Sequence, residues 1–117
     1  MNVNYHYTHY RVAARVALVV DGLALAAGCS WNTYYDHPPG WGLDATSVDF
    51  WHAKGRGVAL PLKANALLVG RILRAHKTNP VRWLISKKSI WTPQDGWTPY
   101  SGYQHYGRLR HVHVTYR

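Results

Sequence analysis

The chain has 117 residues, of which 47% are hydrophobic, and this length and composition suit one globular domain with a single core. Its one cysteine, Cys29, excludes an internal disulfide and any zinc site built on several cysteine ligands. The formal net charge is +9, with 14 lysines and arginines against five aspartates and no glutamate, so the composition favours polyanionic partners and excludes a glutamate general base.

The first predicted element is a helix over residues 11–27. Apolar side chains follow helical spacing through this segment, and Gly28 suits the position just after a helix. The segment also resembles a secretion signal that ends in a lipoprotein-type cleavage box at Cys29. Because Arg15 and Asp21 interrupt its apolar run, we predict a core helix without a signal peptide. No other stretch is long and apolar enough to predict a membrane span.

Residues 1–10, before the first helix, are interpreted as a tail or an edge strand. After that helix, strand and turn patterns dominate the chain. The predicted elements are a loop over 32–42, a strand over 46–51, a turn over 54–57, a helix over 62–76, a strand over 81–86, a loop over 92–107 and a strand over 111–116. Ile90 and Trp91 either extend the strand over 81–86 or begin a partner to it. The pattern predicts a single α+β domain over residues 1–117, with a small antiparallel sheet and two main helices.

Two histidines share one face of the last predicted strand. Period-two alternation places His111, His113 and Thr115 on one side and the valines between them on the other. Residues two apart on one strand face lie about 7 Å from each other, which is close enough for two imidazoles to flank one ion or its water. The alternative interpretation is a half-exposed edge strand whose histidines hold nothing.

An upstream histidine and aspartate complete a candidate metal set. His37 lies in the Pro/Gly-rich loop, and either Asp44 or Asp49 follows it before or within the next strand. Two histidines and one aspartate are a set that holds catalytic zinc and leaves a fourth position for water. Such an ion generates hydroxide and polarises a carbonyl, so the pattern predicts hydrolysis.

The order His37, aspartate, His111-x-His113 resembles the zinc D-alanyl-D-alanine carboxypeptidase and endolysin-peptidase group, whose core is shared with lysostaphin-type peptidases and hedgehog signalling domains. Ser47-Val48-Asp49-Phe50 resembles the aspartate-bearing strand of that group, and His105-Tyr106 followed by the run over 111–115 resembles its closing motif. The resemblance covers roughly residues 37–117. It implies a hedgehog/D,D-peptidase-like fold and zinc-dependent cleavage of peptidoglycan stem peptides. Because no convincing signal peptide is predicted, we expect cytoplasmic synthesis, with access to the cell wall through phage action or lysis.

The resemblance implies His37, Asp49 and His113 as zinc ligands and His111 as the catalytic histidine, with Asp44 as the alternative to Asp49. The family's spacing of seven residues with an intervening glycine fits His37 and Asp44, whereas the local strand pattern fits Asp49. Five residues apart on one strand, the two aspartates would face opposite sides. We favour Asp49, because a strand position between apolar residues holds a ligand more rigidly than the end of a loop.

Arg110 departs from the family's pattern. The resemblance implies an acidic general base three residues before the last metal histidine, and Arg110 occupies that position. An arginine weakens cation binding and accepts no proton. The sequence therefore predicts slow or absent hydrolysis that an acid at position 110 would raise, unless His111 serves as the base.

The aromatic residues and surface charge leave a second function open. Trp91, Trp97, Tyr103 and Arg110 are predicted to line a groove for peptide or glycan, although aromatic residues of a small domain more often belong to core and loop packing. The alternative function is a non-catalytic module on the same fold that uses its +9 charge to hold cell-wall polymer or nucleic acid.

Overall fold

The structure is a computed structural model that describes residues 12–33, 46–55, 57–100 and 110–117. The described part contains α1 (Ala14–Ala27), β1 (Cys29–Asn32), β2 (Ser47–His52), α2 (Leu62–Arg74), β3 (Val81–Ser86), β4 (Ser89–Thr92), β5 (Gly96–Pro99) and β6 (Val112–Tyr116). The predicted α+β class with two helices and an antiparallel sheet is confirmed. The predicted segment over 1–10 lies outside the described residues, as does most of the predicted loop over 32–42.

The six strands form one antiparallel sheet in the order β1-β2-β6-β3-β4-β5. The last strand of the chain is therefore central, with β2 on one side and β3 on the other. The interpretation of β6 as an edge strand is wrong, since both of its edges are paired. This position brings residues near the end of the chain beside residues of the middle.

Both helices pack on one face of the sheet. The core contains Val16, Val20 and Ala24 from α1, Leu68 and Ile72 from α2, and Val48, Phe50, Leu84, Val112 and Val114 from the strands. These strand residues alternate with polar ones, so the second face of β2 and β6 carries Ser47, Asp49, His113 and Thr115. We call this second side of the sheet, opposite the helices, the polar face. Its residues are buried as well.

Both charges that interrupt the apolar run of α1 have partners outside the helix. Arg15 donates a hydrogen bond to the carbonyl oxygen of Arg117 at 2.6 Å, and Asp21 accepts one from the indole of Trp31 at 2.8 Å. Gly28 ends the helix in the left-handed region, with φ 67°, where glycine is favoured. The predicted core helix is thus confirmed. Within the described ranges, no helix combines the length and apolar character that crossing a membrane requires.

Two short strands differ from the sequence prediction. β1 directly follows α1 and covers residues 29–31, for which no element was predicted, together with the first residue of the predicted loop over 32–42. β5 lies within the segment predicted as loop over 92–107. β4 and β5 form a hairpin whose turn is closed by a hydrogen bond from the Asp95 backbone N–H to the hydroxyl of Thr92 at 3.1 Å. These four-residue strands are too short to show a strand pattern, and β5 has Gly96 and Pro99 at its ends, so only pairing with a neighbouring strand makes them part of the sheet.

The thiol of Cys29 lies in the core and is chemically protected. Burial raises its pKa from an ordinary value of 9.0 to about 12. Burial likewise raises the pKa of the Tyr116 hydroxyl above its ordinary range. Both groups are neutral in the folded protein at a pH where the unfolded chain already ionises them. Their contribution to stability is therefore complete below about pH 9 and is lost as the pH rises toward 12.

We expect Cys29 in the native protein to react with iodoacetamide far more slowly than in the unfolded chain. The raised pKa alone reduces the thiolate fraction roughly a thousandfold, because only the thiolate is the nucleophile. Mass spectrometry of timed samples, with and without denaturant, measures this difference. Cys29→Ala should also flatten the loss of melting temperature at alkaline pH. Equal labelling rates in folded and unfolded protein would contradict the burial of the thiol.

Candidate functional site

The candidate site lies on the polar face, where β2 and β6 pair at the centre of the sheet. In the antiparallel register Asp49 lies opposite His113 on β6 and opposite Asn32 on β1. Cross-strand neighbours share a face and bring their side chains together. The sheet therefore places two of the predicted zinc ligands side by side, although 64 residues separate them in the chain.

Asp49 and His113 form a short, buried hydrogen bond. Asp49 Oδ1 and His113 Nδ1 are 2.7 Å apart, and the two residues are only 1% and 6% exposed. A carboxylate removed from water is costly unless neighbouring groups compensate its charge. The imidazole of His113 supplies part of that compensation, which makes this pair the polar centre of the site.

A second histidine approaches the same carboxylate. His111 Nε2 lies 3.9 Å from Asp49 Oδ1, and its imidazole stacks on the indole of Trp51 with ring centroids 4.1 Å apart and planes inclined by 16°. Flat stacking fixes the plane of the histidine ring. His111 is 3% exposed and Trp51 is 5% exposed, so the ring is held on two sides: by the indole and near the carboxylate.

The other nitrogen of His113 bonds to a chain of two hydroxyls. His113 Nε2 and Thr115 Oγ1 are 2.9 Å apart, and Thr115 Oγ1 and Ser47 Oγ are 2.8 Å apart. Thr115 and Ser47 are both buried and lie opposite each other in the register of β2 and β6. The four side chains therefore form a continuous row of hydrogen bonds from Ser47 to Asp49.

Asn32 extends the polar row beyond Asp49. Its side chain is buried, and its Oδ1 atom has no hydrogen-bond partner in the part of the chain that the structure describes. A buried acceptor of this kind is costly unless a donor, a water or a cation reaches it. Asn32 lies directly opposite Asp49 in the register, so the uncompensated oxygen belongs to the same region of the polar face.

The described residues fit part of a zinc site. Two ligands of one tetrahedral zinc lie about 3.3 Å apart at ordinary bond lengths, so the 2.7 Å pair of Asp49 and His113 needs a shift of only about half an ångström to admit the ion. The bond between His113 Nε2 and the Thr115 hydroxyl leaves Nδ1 as the nitrogen that could ligate a metal, and a ligating histidine usually has a polar partner at its other nitrogen. Within 12–33, 46–55, 57–100 and 110–117, no three His, Cys or Asp side chains are arranged to hold a metal. His37 and the alternative ligand Asp44 lie outside those residues.

The predicted substrate-binding residues that the structure describes, Trp91, Trp97 and Arg110, contact parts of the fold other than Asp49. The guanidinium of Arg110 donates to the carbonyl oxygen of Leu60 at 3.3 Å, just before α2. Trp91 packs against the helix-side core, and Trp97 pairs with it across β4 and β5 with 43% exposure. Tyr103 lies outside the described residues. Contact of Trp91, Trp97, Tyr103 and Arg110 with a substrate stays a prediction.

Sequence reasoning missed four residues of the site. Ser47, Trp51 and Thr115 were not predicted as functional groups, and neither was their neighbour Asn32. A signal was present, because Ser47 and Trp51 lie two residues before and after Asp49 and must share its face. Thr115 was placed on the histidine face by the same rule. Their partners became visible only with the register of β2 and β6.

Comparison of the chain with protein-family models, with curated proteins and with solved structures found no significant match. The likeness to zinc D,D-carboxypeptidases and endolysin peptidases stays a prediction from His37, Asp49, His111 and His113.

Proposed function

We propose that this protein is a zinc-dependent peptidase-like domain that acts on peptidoglycan stem peptides, with a hedgehog/D,D-peptidase-like fold. The observation that carries the proposal is the buried pair of Asp49 and His113, 2.7 Å apart, with His111 Nε2 at 3.9 Å from the same carboxylate oxygen. The carboxylate and the imidazole of this pair are two of the donors that a zinc site needs, and the second imidazole lies where it could transfer a proton. The likeness of the closing His-x-His strand to D,D-peptidases supports the choice of substrate.

In the proposed site, Asp49, His113 and His37 are the residues that would hold zinc. When bound, zinc supplies a hydroxide at neutral pH and polarises the carbonyl of the scissile amide. Thr115 orients His113 by bonding its second nitrogen. We assign proton transfer to His111, because stacking on Trp51 fixes its ring and its Nε2 lies 3.9 Å from the carboxylate oxygen of Asp49.

The charge of the protein suits a polyanionic target. Among the described residues, exposed cationic side chains outnumber exposed carboxylates: Arg15, Lys54, Lys63, Arg71, Arg74, Lys77, Arg82, Lys87, Lys88 and Arg117 against Asp21 and Asp95. Such a surface raises the local concentration of anionic polymers. If the protein is a peptidase, this charge favours phosphate-bearing cell wall as its partner. If it is a non-catalytic module on the same fold, the charge favours nucleic acid or wall polymer.

We expect the purified protein to bind one zinc ion per chain and to lose stability when the ion is chelated. A ligand that binds only the native state adds about 2.7 kcal/mol at a free concentration 100 times its Kd. For a domain of this size, that amounts to a shift of roughly 10 °C in melting temperature. Metal analysis by mass spectrometry and thermal melts with and without EDTA measure both quantities.

His52→Ala is the matched control, because His52 lies on the same strand as Asp49 but bonds the Lys54 backbone N–H and not the polar-face cluster. It should leave the zinc content and the EDTA shift unchanged. A wild type without zinc and without a response to EDTA would remove the metal hypothesis. If that protein also bound DNA or wall polymer with an affinity that falls steeply with salt, the basic binding module would be the better explanation.

A further inference from the structure

Each end of the His113 ring faces a different kind of partner. Nδ1 faces the carboxylate of Asp49, which only accepts hydrogen bonds when ionised, whereas Nε2 faces the hydroxyl of Thr115, which either donates or accepts. Ser47 continues the row with a second hydroxyl that has the same freedom. The hydrogen bond at Nδ1 can therefore run only from the ring to the ionised carboxylate, whereas the hydrogen bond at Nε2 can run in either direction.

Without a metal, the neutral His113 ring has one favourable arrangement. The proton lies on Nδ1 and is donated to Asp49, so Nε2 accepts the hydrogen of Thr115, and Thr115 accepts that of Ser47. The opposite tautomer would point the lone pair of Nδ1 at an ionised carboxylate 2.7 Å away. In a buried site, two acceptors facing each other are costly.

With a metal on Nδ1, the same ring needs the opposite arrangement. A ligating nitrogen must present its lone pair, so the proton of the neutral ring lies on Nε2. Nε2 then donates to Thr115, whose own hydrogen turns toward Ser47. The ring would stay neutral, because one proton would leave Nδ1 and one would be gained at Nε2, and the two hydroxyls would rotate.

We propose that Thr115 and Ser47 form a reversible hydroxyl relay that lets His113 exchange tautomers when zinc enters, so that neither nitrogen is left unsatisfied in the buried site. The inference rests on the proposed zinc function. It assigns positioning roles to two residues that act through His113. A hydroxyl is required at position 115, because a backbone carbonyl or a carboxylate would favour one tautomer permanently, and an apolar side chain would satisfy neither.

Nuclear magnetic resonance of protein labelled with ¹⁵N-histidine tests the relay in the wild type. At a pH well above the ordinary imidazole range, the metal-free protein should show His113 with its proton on Nδ1, and added zinc should move the proton to Nε2. Loss of the signals in His113→Gln assigns them. A metal-free ring with its proton on Nε2, or protonated on both nitrogens, would overturn the proposal.

Zinc affinity of variants provides the second test. Thr115→Val keeps the shape of the side chain and removes the hydroxyl, so zinc affinity should fall by about 10- to 100-fold, the usual cost of losing an outer-shell partner. Thr115→Ser should restore affinity close to that of the wild type. Ser47→Ala should cause a smaller loss, because it removes the end of the row and leaves Thr115 in place.

Ser86→Ala is the matched control, since Ser86 is also buried and donates to Asn65 at 2.7 Å on the helix side of the sheet. It should lower the unfolding free energy without changing zinc affinity. A wild type that binds no zinc would defeat the proposed function. A wild type that binds zinc, with Thr115→Val binding as tightly as Thr115→Ser, would defeat the relay alone. If Thr115→Val does not fold, Ser47→Ala and the tautomer spectra of the wild type decide the question.

Discussion

Asp49→Ala is expected to abolish zinc binding. Asp49 is the charged member of the proposed ligand set, and three-ligand sites rarely survive the loss of one ligand. The drop in affinity should exceed the 10- to 100-fold that loss of an outer-shell residue costs. Isothermal titration with zinc measures it, and Asp49→Asn, which keeps the shape but not the charge, should behave similarly.

The same substitution affects stability even without metal. His113 Nδ1 loses its acceptor in a site that is 6% exposed, which typically costs about 1–3 kcal/mol. Removal of the buried carboxylate offsets part of this cost. Urea unfolding of the EDTA-treated protein separates this effect from the loss of zinc.

Two control variants locate the ligand. Asp95→Ala removes an exposed carboxylate in the β4–β5 turn and should change neither zinc affinity nor stability appreciably. Asp44→Ala should leave zinc binding largely intact. If Asp44→Ala abolished binding while Asp49→Ala did not, the ligand would be Asp44, and the Asp49–His113 pair would be a structural hydrogen bond.

The alternation of polar and apolar residues was sufficient to predict the faces of β2 and β6. Valine at positions 112 and 114 had to enter the core, so the residues between them had to lie on the other side. The same rule placed Asp49 on one face of its strand. These predictions succeeded because period-two alternation is a local property of the chain and because both strands are long enough to display it.

Pairing between strands could not be predicted in the same way. The position of β6 between β2 and β3 depends on contacts between residues far apart in sequence, and so does the register that sets Asp49 opposite His113. The hydrogen bond between Thr115 and Ser47 depends on that register too. β1 and β5 were missed because each is only four residues long and is stabilised by hydrogen bonds to the neighbouring strand, β2 for β1 and β4 for β5.

Arg110 illustrates the limit of motif spacing. Counting three residues back from His113 placed it where the resembling peptidases have their base. In the structure its guanidinium bonds the carbonyl oxygen of Leu60, and the Leu60 backbone N–H bonds the carbonyl oxygen of Arg110 at 2.7 Å. Leu60 belongs to the helix-side core, whereas His111 belongs to the polar face. The side chain of Arg110 is thus directed toward Leu60, and His111 is the better candidate for proton transfer.

His111→Ala is expected to lower the turnover of stem peptides by about 10²- to 10⁴-fold, the usual contribution of a positioned general acid or base. Zinc content should remain at one ion per chain, because His111 is not in the proposed ligand set. Purified peptidoglycan with quantified release of peptide or D-alanine measures the turnover. His111→Gln, which keeps a planar polar side chain but accepts no proton at neutral pH, should lose as much activity as His111→Ala.

Arg110→Glu completes the test, since the two candidate bases predict opposite results. If His111 is the base, a glutamate at position 110 loses the hydrogen bond to the Leu60 carbonyl and faces that oxygen with like charge, so turnover should stay the same or fall. If turnover instead rose by about 10²-fold or more with unchanged zinc affinity, the base would belong at position 110, as the motif spacing predicted. His111 would then serve to stabilise the developing negative charge, and His111→Ala would lower turnover in Arg110→Glu and wild type by the same factor.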